Sequence, residues 1–158
     1  EFGDFQCPAC NQFEQQTYPR INQNYIETGQ VKMVWKDFPL TQIHNWARPA
    51  ATTMECVYRE GGNEAFWNVK KKLFDNQGSL DASNAQSEIR SYAEEENVSS
   101  EAIRSCVSSQ DPGSEIDQDK SQGRSAGVSG TPTVFVNGQE VEANYGSISA
   151  AIEQQLRQ

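Results

Sequence analysis

The sequence predicts an α/β fold in which strand-and-helix units at the two ends of the chain enclose a long, all-helical insertion. Near the start, apolar and polar residues alternate over Val31–Phe38, which is the period of a strand, directly after a segment with helical spacing. Near the end, the β-branched run Thr131–Val136 leads into Asn137-Gly138, a preferred sequence for a tight hairpin turn. We therefore divide the chain into an N-terminal part of the α/β unit (1–40), a helical insertion (41–126) and a C-terminal part of the α/β unit (127–158).

The first unit reads as strand, helix and strand. Glu1–Gln6 is predicted to be the end of a strand, and Pro8 suits the first turn of the helix that follows, where its missing N–H has no partner to lose. The helix runs toward Thr28-Gly29, a typical helix stop, and Pro19 is expected to kink it. With Val31–Phe38 this makes a βαβ unit.

In the insertion the apolar spacing is helical and strand signals are missing from the sequence pattern. Three helices are predicted from Pro49 to Gly61-Gly62, from Glu64 to Asn76 and from Ser83 to Glu96. A fourth is capped by Ser99 or Ser100, and a fifth starts at Asp111 or Ser114 and runs toward Gly127. After the hairpin, Gly146-Ser147 opens a last helix over Ile148–Arg157. Its apolar stripe, formed by Ile148, Ile152 and Leu156, is expected to cover one face of the sheet.

Composition narrows the function classes. The 158 residues suffice for one domain, or for one domain with a large insertion. The formal net charge is −9, with 22 acidic and 13 basic residues, which argues against a nucleic-acid partner because phosphate binding requires clustered Lys and Arg. The cluster Lys70–Lys72 lies in a predicted helix and is expected to be a solvated face. The sequence has no apolar run of the roughly 20 residues that span a bilayer and opens on no leader, so we expect any targeting or anchor segment to be absent from this chain.

The stretch Cys7-Pro8-Ala9-Cys10 carries the most specific chemistry. A Cys at the first turn of a helix lies near unpaired backbone N–H groups and the positive end of the helix dipole, and both favour the thiolate. Since only the thiolate attacks a disulfide, Cys7 is the candidate nucleophile. Cys10 lies one turn further on the same side of the helix and can close on Cys7. The spacing thus supplies an attacking and a resolving sulfur.

Other interpretations of the four cysteines stay open. A Cys-x-x-Cys pair is also half of a zinc site, so the chain could be a zinc-binding structural module with all four cysteines as ligands. The long gaps between Cys10, Cys56 and Cys106 fit poorly with compact zinc-ligand spacing. Cys56 and Cys106 can be two buried free thiols or a disulfide. His44 could bind a metal or act as an acid or base, but a single His in a helical segment is more often structural.

The Cys-x-x-Cys stretch together with Val128–Gly138 resembles the thioredoxin superfamily, and within it the DsbA-like disulfide oxidoreductases. The resemblance implies a thioredoxin-like fold with a helical insertion and a cis peptide bond before Pro132. It also implies roles for named residues: Cys7 attacks, Cys10 resolves, Pro8 and Ala9 tune the pair, Glu1 moves a proton, Gly130, Thr131 and Pro132 hold the substrate backbone, and Cys56 and Cys106 form a structural disulfide.

The same resemblance implies a function. The chain would catalyse disulfide formation in exported proteins, outside the cytoplasm, as a periplasmic, secreted or membrane-tethered monomer. A membrane-bound partner would reoxidise it, and no organic or metal cofactor is implied. Because Pro8-Ala9 lacks the His of the usual DsbA dipeptide, we expect a less extreme oxidant. A disulfide reductase or isomerase of the same fold is the alternative, since Thr131 before the proline resembles some isomerases. Isomerases commonly add a dimerisation domain, of which the sequence shows no sign.

Overall fold

The computed structural model describes residues 1–109 and 111–157, and it confirms the predicted α/β fold with a helical insertion. Strand β1 (Phe2–Gly3) pairs in parallel with β2 (Lys36–Asp37), and β3 (Val134–Val136) pairs antiparallel with β4 (Gln139–Val141). Phe2 bridges antiparallel to Thr133 through two backbone hydrogen bonds of 2.8 and 3.0 Å. This bridge joins the two strand pairs and brings the start of the chain beside its last quarter.

The strand predicted over Val31–Phe38 is wrong in its extent, because β2 contains Lys36 and Asp37 alone. A strand is defined by its pairing. In the described structure β1 begins at Phe2, whose register partner is Lys36, so the residues before Lys36 lie beyond the ladder. The parallel pairing that a βαβ unit requires is nevertheless present.

The helix after β1 breaks where its proline predicts. Helix α1 (Pro8–Gln16) ends at Thr17 and α2 (Tyr18–Ile21) continues it, followed by a π-helical turn at Asn22–Ile26. Pro19 has no N–H to donate to the carbonyl four residues earlier, which explains the break. Gly29, at φ 77°, follows the end of this segment.

The insertion is helical, and glycine and serine residues mark the positions where its helices are interrupted or begin. Helix α3 (Ala47–Asp75) loses helical geometry at Gly62, whose φ is 75°, and a 3₁₀ turn at Gln77–Ser79 follows it. The later helices are α4 (Ala85–Glu95), α5 (Ser100–Ser108) and α6 (Asp111–Ser125). The hydroxyl of Ser99 accepts a hydrogen bond from the N–H of Ala102 and caps α5, as its sequence position predicts.

The C-terminal unit contains the predicted hairpin and a helix with a different start. Asn137 and Gly138 both have positive φ, 47° and 84°, which two-residue type I′ turns require. Helix α7 (Tyr145–Leu156) begins before Gly146-Ser147, because the side chain of Asn144 accepts from the N–H of Ser147 and caps it. The expectation for Leu156 is wrong. It is 46% exposed, since it is the last residue of α7.

Two apolar clusters form the core. The smaller lies within the α/β unit and consists of Phe13, Ile21, Tyr25, Val134, Ile148 and Ile152. The larger joins the insertion helices to Phe5, Cys7 and Cys10. The two cysteines of the Cys-x-x-Cys motif therefore lie in the same core as the insertion helices.

Candidate active site

Cys7 occupies the capping position directly before helix α1. Its backbone is extended, with φ −71° and ψ 122°, and Pro8 is the first helical residue. Cys7 and Cys10 are both thiols and both buried, with 6% and 1% of their surface exposed, whereas Pro8 and Ala9 are exposed. Cys7 is therefore the more accessible sulfur for an incoming thiolate.

The surroundings of the two sulfurs separate their pKa values. The hydrogen bond from the Cys10 side chain, helped by Thr131 and by the backbone N–H groups of Cys10 and Ala9, lowers the pKa of Cys7 to about 5 against the opposing effect of burial. The same shared bond, together with burial and the charge on Cys7, raises the pKa of Cys10. At neutral pH the pair therefore carries its negative charge on Cys7, as an attacking sulfur requires.

The loop before β3 lies against Cys7. The Thr131-Pro132 peptide bond is cis, as the resemblance implies, and the Cys7 thiol donates to the carbonyl oxygen of Thr131 at 3.4 Å. The hydroxyl of Thr133 donates to the carbonyl of Gly130 at 2.9 Å and closes the loop. The hydroxyl of Thr131 is buried and, within the described part of the chain, has no hydrogen-bond partner while Cys7 is a thiol. Ionised Cys7 would be an acceptor beside this hydroxyl.

Glu1 is a buried acid whose charge affects Cys10. Burial raises the pKa of its carboxyl group, and the charge of Lys70 partly opposes this shift. Its Oε2 atom has no hydrogen-bond partner among the described residues. The charge of Glu1 also contributes to the raised pKa of Cys10. A carboxyl group with these properties can hold or release a proton near Cys10.

Lys70 is not on a solvated face, so that prediction is wrong for this residue. It is fully buried and pairs with the carboxylate of Glu14, four residues after Cys10 on helix α1. Its ammonium lies 4.9 to 5.3 Å from four aromatic ring centres, those of Tyr18, Trp35, Phe74 and Trp67. Lys71 and Lys72 do reach the surface and pair with acidic side chains there. The insertion thus places a paired cation beside the active-site helix.

The turn at residues 4–7, which carries the candidate nucleophile Cys7, is named the catalytic turn. His44 lies next to it, although 34 residues separate His44 from Cys10 in the sequence. Its Nδ1 atom is 2.7 Å from Oδ2 of the buried Asp4, which also accepts from the N–H of Leu40 at 2.8 Å. The other Asp4 oxygen accepts from the N–H of Gln6, and the Asp4 carbonyl accepts from the N–H of Cys7. His44 lies outside the helices rather than in a helical segment, and through Asp4 it helps to fix the turn that carries Cys7.

Three residues of this site were not selected from the sequence, and two of them carried a signal. Glu14 follows Cys10 by four residues and so shares its helix face. Lys70 stands four residues from Phe66 and four from Phe74, on the apolar stripe of α3. Asp4 accepts one local hydrogen bond, from the N–H of Gln6, but its bonds with Leu40 and His44 come from the loop around residue 40, and no local pattern predicts those.

The second cysteine pair excludes a four-cysteine metal site. Cys56 of α3 and Cys106 of α5 form a disulfide, with Cα atoms 5.8 Å apart. Their sulfurs are not available as zinc ligands, so the hypothesis of a four-cysteine zinc module is wrong. Within residues 1–109 and 111–157 we find no group of three or more His, Cys, Asp and Glu side chains arranged to hold a metal ion. In the same residues, no helix has the length and apolar character to span a membrane.

Comparisons with known proteins agree with this geometry. A family model described as Thioredoxin matches residues 1–154. The chain is 28% identical over 171 residues to the Disulfide bond formation protein D of Bacillus subtilis, and the match covers 99% of this chain and 71% of that protein. It is 31% identical over 154 residues to the Na(+)/H(+) antiporter NhaA 1 of Salinispora arenicola, with 96% of this chain and 22% of that protein covered. This chain thus spans about a fifth of the length of that antiporter.

Solved structures show the same fold. Oxidised BdbD of Bacillus subtilis superposes with a TM-score of 0.88 at 25% identity, covering 100% of this chain and 86% of that chain. DsbA of Chlamydia trachomatis superposes with a TM-score of 0.81 at 21% identity, covering 99% of this chain and 83% of that chain.

Proposed function

Because the chain belongs to the thioredoxin family, we propose that it is a protein thiol–disulfide oxidoreductase that forms disulfides in exported proteins through Cys7 and Cys10. The observation that carries the proposal is the difference between the pKa values of the two thiols. The pKa of Cys7 is lowered to about 5, whereas that of Cys10 is raised. Such a pair ionises at one defined sulfur, next to the loop that contains Pro132. Relatives named for disulfide bond formation support this assignment.

In the proposed reaction the oxidised enzyme accepts two electrons from a substrate dithiol. A substrate thiolate attacks the sulfur of Cys7, the Cys7–Cys10 bond breaks, and a mixed disulfide forms while Cys10 leaves as a thiolate. Cys10 then takes up a proton, since its pKa is raised. The second substrate thiolate attacks the substrate sulfur of the mixed disulfide, and Cys7 leaves as a stable thiolate. One substrate disulfide has formed, and the enzyme disulfide has become a dithiol.

Other residues have proposed supporting roles. Glu1 gives a proton to Cys10 when Cys10 leaves, and this role is supported by the burial of Glu1 and by its electrostatic effect on Cys10. Gly130, Thr131 and Pro132 hold the substrate backbone next to the Cys7 sulfur. Pro8 and Ala9, exposed between the sulfurs, tune their relative stability.

The direction of the reaction follows from the Cys7 thiolate. Stabilising this thiolate stabilises the reduced enzyme, which makes the disulfide a better oxidant. We therefore propose an oxidase and keep the reductase or isomerase of the same fold as the second candidate, favoured by Thr131 before Pro132. Ion transport is not proposed, because this chain matches about a fifth of the length of the antiporter.

The substrates in this proposal are proteins with cysteines, and a second redox protein returns the enzyme to its disulfide form. We further propose that this partner is membrane-bound and that the enzyme works outside the cytoplasm as a monomer. In our proposal, the insertion 41–126 is one lobe and the α/β unit of 1–40 and 127–158 is the other, with the active site at their boundary.

The reduction potential of the Cys7–Cys10 pair tests the proposal. The protein is equilibrated with glutathione buffers and its free thiols are counted by mass after alkylation. A potential above about −180 mV supports an oxidase, whereas a value near −250 mV or lower would make the chain a reductase or isomerase. The Cys7→Ser variant is expected to lose all exchange activity, and exchange that survives in it would overturn the assignment of Cys7.

A further inference from the structure

Gln77 reaches from the insertion to the backbone of the catalytic turn. It begins the 3₁₀ turn that follows α3, and its side-chain Nε2 donates to the carbonyl oxygens of Phe5 at 2.8 Å and of Cys7 at 3.1 Å. Gln77 and Cys7 are 70 residues apart in the sequence. One side-chain amide thus binds the backbone carbonyls on both sides of Gln6, the residue before Cys7.

The Cys7 carbonyl is also the first acceptor of helix α1, because the N–H of Asn11 donates to it at 3.1 Å. Its orientation fixes the direction in which the helix leaves the turn. The N–H groups of Ala9 and Cys10, which stabilise the Cys7 thiolate, belong to this first turn. A side chain that fixes the Cys7 peptide group therefore fixes the geometry between the sulfur and those donors.

Gln77 is itself held firmly. The 3₁₀ turn is closed by the bond from the N–H of Leu80 to the carbonyl of Gln77 at 3.1 Å, and Leu80 is buried. The side-chain amide of Asn84 donates to the carbonyl of Ser79 at 3.0 Å and ties the turn to the start of α4. The donor that reaches Cys7 thus stands on an ordered part of the insertion.

We propose that Gln77 is a positioning residue for the Cys7–Cys10 pair: from the insertion it holds the Cys7 peptide in the orientation that directs the first-turn N–H groups at the Cys7 sulfur. Gln77 does not touch the reacting atoms and acts through the backbone alone. The proposal rests on the proposed redox function, but it concerns the reactivity of Cys7, which can be measured without a protein substrate.

The test is the pH dependence of Cys7 alkylation by iodoacetamide in the reduced protein. Gln77→Met keeps the length of the side chain and removes both donated hydrogen bonds, so we expect the alkylation midpoint to move to higher pH. The rate at pH 5 should fall about threefold or more, since fewer Cys7 side chains are ionised. The equilibrium with glutathione should shift by about the same factor toward a less oxidising disulfide.

Gln86→Ala is the matched control. Gln86 also lies in the insertion and donates to the hydroxyl of Thr53 at 3.2 Å, away from the catalytic turn. The Gln86→Ala variant should keep the wild-type pH midpoint of Cys7 alkylation. Gln77→Glu is a second variant, whose carboxyl group can donate one hydrogen bond when it is protonated. Its loss of Cys7 alkylation rate relative to the wild type should therefore be smallest at low pH.

A folded Gln77→Met protein with the wild-type midpoint, or equal shifts in Gln77→Met and Gln86→Ala, would overturn the proposal. If Gln77→Met does not fold, Gln77→Leu, which also removes both donors without adding a charge, decides by the same comparison. Failure of the proposed function is a separate result. A wild-type protein without dithiol oxidation activity would reject the oxidase but leave the alkylation comparison intact.

Discussion

The Sγ atom of Cys7 lies 3.4 Å from the carbonyl oxygen of Thr131, across 124 residues of sequence. The thiol can donate to this carbonyl, but the thiolate cannot and is repelled by it. Ionisation of Cys7 therefore changes which group of Thr131 is a suitable partner, from the carbonyl to the hydroxyl. The buried hydroxyl has no other partner among the described residues, so it is free to donate to the thiolate.

Thr131→Val should therefore raise the pKa of Cys7 above its value of about 5, because valine has nearly the same shape and no hydroxyl. The pH dependence of thiolate absorbance or of alkylation in the reduced protein measures this. Thr133→Val is the control, since that hydroxyl donates to the carbonyl of Gly130 instead. An unchanged midpoint in Thr131→Val would show that the hydroxyl does not stabilise the thiolate.

Lys70→Met should destabilise the protein by roughly 3–5 kcal/mol, because it leaves the Glu14 carboxylate buried without its partner. Replacing both residues, as Lys70→Met with Glu14→Leu, should recover most of that loss. Denaturant unfolding of the single and double variants measures both changes. Lys71→Met, which breaks an exposed pair with Asp75, should cost less than about 1 kcal/mol. Equal losses in Lys70→Met and Lys71→Met would contradict a buried ion pair.

Asp37→Asn should gain stability relative to wild type as the pH rises. Burial raises the pKa of Asp37 to about 8, from an ordinary value of about 3.9. A carboxyl group whose pKa is higher in the folded protein than in the unfolded chain loses stabilisation between those two values. Asparagine keeps an oxygen that can accept from the indole N–H of Trp35. The difference in unfolding free energy should therefore grow in favour of the variant between about pH 4 and pH 8.

Asp117→Asn is the control with the opposite sign. The hydrogen bond from Arg48 lowers the pKa of Asp117, so this carboxylate contributes stability above its ordinary pKa and loses it as the pH falls. At neutral pH the unfolding free energy of the wild type should therefore be higher than that of Asp117→Asn. A pH-independent difference for Asp37→Asn would mean that Asp37 titrates normally in the folded protein.

Removing the second disulfide should affect stability and leave the chemistry intact. Cys56 and Cys106 close a loop of 50 residues, for which loop-closure entropy gives about 4 kcal/mol as an upper value. The double variant Cys56→Ala with Cys106→Ala should unfold at lower denaturant concentration. At a temperature where it is folded, it should exchange disulfides at the wild-type rate. A folded double variant without activity would assign this disulfide to the redox cycle.

Local signals in the sequence predicted most of the fold. Asn137-Gly138 specifies its turn through two left-handed residues, Ser99 caps the helix after it, and Pro19 breaks its helix by lacking a donor. Each of these features is decided within a few residues, which is why the sequence alone predicts them.

What the sequence could not predict depends on distant partners. The burial of Lys70 requires Glu14, 56 residues away, and the length of β2 depends on where β1 begins. The contacts of Asp4 and Gln77 with other segments likewise exist only after the insertion has packed on the catalytic turn. Within the candidate site, the sulfurs and the proline loop were found from their motifs, and the side chains that hold them were not.

The buried pair of Lys70 on helix α3 and Glu14 on helix α1 also limits which segments could be exchanged between related proteins. A helical insertion that brought this lysine into a host without an acid at the position of Glu14 would bury an unpaired charge, at a cost of several kcal/mol. A host that kept the acid but received an insertion without the lysine would meet the same penalty. Chimaeric proteins of this fold should therefore be stable only when the insertion and the rest of the chain match, so that neither the lysine nor the acid is buried without its partner.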